Sequence, residues 1–82
     1  MEIEEIIFHP ENSTRSITFF TNGTVSYHTP EVSIRSTSLS RMRWRMRDAP
    51  HDIPSYCPEE GEIEWVIGEV EKKINRDFWG EK

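Results

Sequence analysis

Eighty-two residues with 34% apolar side chains and a formal charge of −5 make one small domain with no room for two cores. No apolar stretch approaches a membrane span, the single cysteine, Cys57, excludes an internal disulfide, and the start MEIEEIIF lacks the basic and apolar regions of a signal peptide. The expected location is therefore cytoplasmic, and nine aromatic residues argue for a folded chain rather than a disordered one.

The charge is segregated. Residues 1–12 carry four glutamates and no base, residues 13–47 carry six arginines against Glu31, and residues 48–82 carry ten acids against four bases. Either the arginines meet an external anion or the acidic ends of the same chain neutralise them.

In chain order, residues 2–8 are isoleucine-rich and predict a first strand, closed by the turn-forming cluster Pro10–Thr14. Residues 15–21 and 24–29 are rich in β-branched and aromatic residues on either side of Asn22-Gly23, the signature of a hairpin with a two-residue type I′ turn. That turn places Phe20 opposite Val25 and Thr18 opposite Tyr27, with Phe19 opposite Ser26 and Ile17 opposite His28 on the reverse face. Both faces then carry large apolar groups, so Ile17 and Phe19 become a candidate partner interface, and a homodimer is the simplest way to cover them.

After Thr29-Pro30-Glu31 comes a long segment, Val32 to Arg47, with apolar residues at even positions at both ends and arginines at odd ones. Period two predicts a strand with a bend in the central STSLS. A helix is the alternative, with Met42 and Met46 on one face and Trp44 nearly opposite. As a strand, the RMRWRMR run puts Arg41, Arg43, Arg45 and Arg47 in a line about 6.8 Å apart, with Arg35 further along the same parity. Arginine is always charged and its planar fork matches phosphate or carboxylate. The candidate ligand-binding set is therefore Arg35, Arg41, Arg43, Arg45 and Arg47, with Tyr27 and Trp79 as candidate base-stacking aromatics. Pairing with Glu2 and Glu4 of the first strand is the structural alternative.

Residues 48–58 contain three prolines and predict an irregular loop. Residues 59–79 predict an amphipathic helix whose stripe is Ile63, Val66, Ile67, Val70, Ile74 and Phe78. Glutamates crowd its start, bases lie towards its end, and Gly80 is placed to stop it. Gly68 suggests a close approach to the sheet. Its outward glutamates Glu60, Glu64, Glu69 and Glu71 read as a solvated face with a Glu69–Lys73 pair.

His9, His28, His51, Asp48, Asp52 and Cys57 have no metal-ligand or acid–base spacing, so no metal, no cofactor and no catalytic activity are expected. The expected fold is α+β: an antiparallel sheet of four to five strands in residues 1–47, the loop 48–58, and one C-terminal helix on one face. The order of strands followed by one long helix resembles that of single-strand-binding transcriptional coactivators, which dimerise through strand and helix surfaces. The likeness is one of element order and carries no residues over. The function expected is a small non-catalytic binding protein whose arginine-lined strand takes an anionic partner, nucleic acid or an acidic protein surface. The alternative is a protein-binding regulator or inhibitor, of the phage or small-operon kind, that blocks a larger nucleic-acid-handling machine.

Overall fold

The computed structural model describes residues 2–78, and for residues 77 and 78 the backbone only. The expected roles of Phe78, Trp79 and Gly80 lie outside that description. Four strands, β1 (Ile3–His9), β2 (Asn12–Phe20), β3 (Val25–His28) and β4 (Ser33–Ser36), precede two helices, α1 (Leu39–Asp48) and α2 (Glu62–Phe78). The sheet is antiparallel in the order β1-β2-β3-β4, so the α+β architecture stands, with two helices instead of one. The second helix also breaks the likeness of element order to the coactivators.

The hairpin register differs by one residue from the type I′ expectation. Gly23 N–H donates to the Phe20 carbonyl and Phe20 N–H to the Thr24 carbonyl, and Gly23 has φ +92° while Asn22 keeps a negative φ. A type I′ turn needs positive φ at both central residues; a three-residue loop ending in a left-handed glycine needs it only at Gly23. Asn22 Oδ1 instead accepts from Thr24 N–H at 3.0 Å. Phe19 now pairs with Val25 and Ile17 with Tyr27. A shift of one residue moves side chains to the opposite face. The rows Ile7-Ile17-Tyr27-Ile34 and Glu5-Phe19-Val25-Ser36 thus face one way, and Ile6-Thr18-Ser26-Arg35 and Phe8-Ser16-His28-Ser33 the other.

The first set of rows meets both helices. Ile17, Phe19, Val25, Tyr27 and Ile34 pack with Met42 and Met46 of α1 and Val66 and Val70 of α2 in one core. Ile17 and Phe19 are 0% and 1% exposed, so their expected role at a partner interface is corrected: they are interior to the chain itself. Tyr27 is equally buried and is no stacking platform.

The RMRWRMR strand is corrected to a helix. Ser38 is extended and its side chain accepts from Arg41 N–H at 3.1 Å, an N-cap. The arginines add good helix propensity, and Ala49-Pro50 ends the run. Met42 and Met46, one helical turn apart, are fully buried, while Trp44 is 52% exposed. A spacing of four satisfies period two and one helical turn alike, so alternation at the methionines misreads as a strand.

The loop after α1 is irregular apart from a single 3-10 turn at Pro50–Asp52, yet it adds Ile53 and Tyr56 to the core. Gly61, at φ +80°, delays the start of α2 to Glu62 and its carbonyl accepts from Trp65 N–H. Gly68 faces open space, with nothing within 4 Å of an added Cβ, so it serves no close approach. Among the described residues, no helix is long and apolar enough to cross a membrane.

Candidate nucleic-acid interface

Ten helical residues at 1.5 Å rise make α1 a rod of about 15 Å. One hundred degrees per residue puts Trp44 about 160–200° from Met42 and Met46. Burial of the two methionines therefore fixes Trp44 on the outward face. Arg41 and Arg47, three residues away on either side, lie about 60° from it, and Arg43 and Arg45 about 100°. The exposures follow this order: Arg41 and Arg47 are exposed, Arg43 and Arg45 half-buried.

The flanking pair is partly engaged. Arg43 approaches Glu71 of α2 at 3.8 Å, and Arg45 donates to the Arg35 carbonyl at 3.1 Å. Arg47 lies 3.6 Å from Asp48, and among the described residues Arg41 has no ion-pair partner. Exposed pairs of this length contribute about 0–1 kcal/mol, so an arriving phosphate can displace them.

Arg35 separates from the others. It sits on β4, on the sheet face turned away from the helices, with its guanidinium 5.5 Å from the Phe20 ring centroid. The structure thus brings Arg41, Arg43, Arg45 and Arg47 together around Trp44 and places Arg35 on a different surface. Sequence reasoning missed Trp44 as the exposed aromatic; its helical position opposite two methionines was the available signal.

The intramolecular neutralisation that is the alternative for the arginine row is partial there, through Glu71 and Asp48, and is most extensive at another arginine. Arg15, 4% exposed, points from β2 into a polar cluster under the start of α2. Its Nη1 donates to Glu62 Oε2 at 3.2 Å, and its Nη2 lies 3.6 Å from Glu31 and 3.7 Å from Glu59. The hydroxyls of Tyr27 and Tyr56 donate to the same Glu62 oxygen at 2.5 and 2.6 Å, and Glu59 N–H donates to Glu62 Oε1 at 3.0 Å. Burial disfavours charge on Glu62, but the two hydroxyls, the Glu59 N–H and Arg15 outweigh it and hold its pKa below the usual carboxyl value. Burial likewise opposes the Arg15 charge, while Glu62 keeps that pKa above its ordinary value. Burial, and then the Glu62 acceptor, push both phenols up. Glu62 is 1% exposed, whereas Glu31 and Glu59 at the rim of the cluster are exposed.

The remaining candidates are scattered. His9 packs at a tilt against Trp65 with centroids 4.7 Å apart, and His28 Nδ1 lies 3.1 Å from Ser33 Oγ. His51, Asp52 and Cys57 are exposed in the loop. No group of three His, Cys, Asp or Glu among the described residues could hold a metal ion. Glu4 meets Lys73 at 2.8 Å and Glu5 meets Arg76 at 2.7 Å, so the first strand's carboxylates pair with α2 and leave the α1 arginines alone. Lys73 is accordingly withdrawn from the expected Glu69 pair, which Lys72 takes at 3.4 Å. No protein family, curated protein or solved structure matches the chain.

Proposed function

We propose that the chain is a small non-catalytic binding protein that takes single-stranded nucleic acid on the outward face of α1. The observation that carries this reading is Trp44, half exposed at the centre of a helix face flanked by four arginines. An indole in that position offers a stacking surface to an unpaired base, and the arginines on both sides reach phosphates. The site is short. The helix that carries it is only about 15 Å long.

Fluorescent single- and double-stranded oligonucleotides titrated across a salt series test it. Four phosphate contacts on a single strand give a slope of log affinity against log salt of about −3. Trp44→Ala is expected to cost about 1–3 kcal/mol of binding, and the Arg41→Glu/Arg47→Glu variant to abolish it with its circular dichroism unchanged. Absence of binding at low salt, or binding that survives the double substitution, overturns the reading.

A further inference from the structure

The face of the sheet turned away from both helices carries exposed Ile3, Ile6 and Phe8, at 56%, 44% and 58%. They line β1, at one edge of the sheet, and form a ridge. Beside the ridge, on β2 and β3, lie Ser16, Thr18 and Ser26. Thr18 and Ser26 are only 5% and 3% exposed although no helix covers them, because small side chains sink between larger neighbours. The face is thus a ridge next to a trough.

Its charge is as distinctive as its relief. The strands contain two carboxylates, Glu4 and Glu5, and both pair with α2 on the other side. Of the two arginines in the strands, Arg15 is buried on the helix side and Arg35 lies over Phe20 near the far edge of this face. Two copies of a chain with a charge of −5 repel each other wherever their acidic surfaces meet; this face brings no carboxylate of the strands into contact.

We infer that this face is a homodimer interface, in which the β1 ridge of each copy fills the Ser16-Thr18-Ser26 trough of the other. A two-fold axis running along the strands between β1 and β2 does this reciprocally, as an isologous contact requires. The sheets then stack about 10 Å apart with Arg35 at the rim. Three strands about 4.8 Å apart and about 20 Å long give roughly 300 Å² in projection, and side-chain relief roughly doubles it. Two such surfaces reach about 1,200 Å², the lower end for a specific interface, so dissociation at micromolar concentration is expected. Both α1 helices stay on the outside of the pair.

Light scattering and sedimentation over micromolar to submillimolar chain concentrations test the inference. The mass is expected to rise towards twice the 9.7 kDa of the chain. Ile6→Glu and Phe8→Glu, both at exposed positions, should each weaken association about tenfold or more, the result of losing over 1.4 kcal/mol, with unchanged circular dichroism. Trp44→Ser should associate as the parent does. A parent chain that stays at 9.7 kDa throughout overturns the inference, as does a dimer indifferent to both glutamates or one lost with Trp44→Ser. None of these readings involves nucleic acid, so the two proposals fail separately.

Discussion

Arg15 and Arg43 carry the same side chain in opposite circumstances. Arg15 is buried beneath α2 with Glu62, Glu59 and Glu31 around it, whereas Arg43 stands on the flank of α1 with one loose contact to Glu71 at 3.8 Å. Desolvation decides the difference. A buried guanidinium requires its counter-charges in place; an exposed one is solvated by water and remains available to a new anion. In a chain with an excess of acid, the buried arginine is surrounded by carboxylates and Arg76 pairs closely with Glu5, while the four clustered on α1 keep at most weak pairs.

Substituting methionine at each position is the sharpest way to break this contrast. Arg15→Met leaves Glu62 buried without its cation and should destabilise the fold by about 3–5 kcal/mol in urea unfolding. Arg43→Met should stay within about 0.5 kcal/mol. Equal effects at the two sites would show that burial does not separate them.

Tyr56→Phe removes one of the two hydroxyls on the Glu62 carboxylate and should cost about 1.5–3 kcal/mol. The pH dependence of stability sharpens the same point. Because the Glu62 pKa is lowered on folding, its contribution is fully present above the unfolded value of about 4.3 and is lost as pH falls through the folded one. The tyrosines are raised, so theirs is present below about pH 10 and is lost on further alkalinisation. Unfolding midpoints measured across pH should therefore fall at both ends, and Tyr56→Phe should flatten the alkaline limb.

Two smaller effects concern the helices themselves. Ser38→Ala removes the cap of the helix that carries Trp44 and should cost about 1 kcal/mol. Gly68→Ala, in the interior of α2 and facing open space, should gain about 0.5–1 kcal/mol by thermal melting.

Much of the fold was legible from the chain. The strands follow from β-branched and aromatic runs broken by turn residues, and α2 follows from a stripe in which Val66 and Val70 do reach full burial. The candidate site was legible in composition but not in shape. The run of four arginines is visible in the sequence, yet Ser38 as a cap and the Met42–Met46 turn give a helix where alternation suggested a strand. Glu62 looked like one more acid at a helix start; nothing local distinguishes it from Glu60.

The sequence by itself determined the segments that fold, their amphipathic faces and the clustering of positive charge, because these depend on spacing along the chain. Tertiary structure decided the hairpin register, the pairing of Arg15 with Glu62 forty-seven residues away, and the side on which Trp44 emerges. Each of those depends on which surface is withdrawn from water, and that is settled only when the helices pack on the sheet.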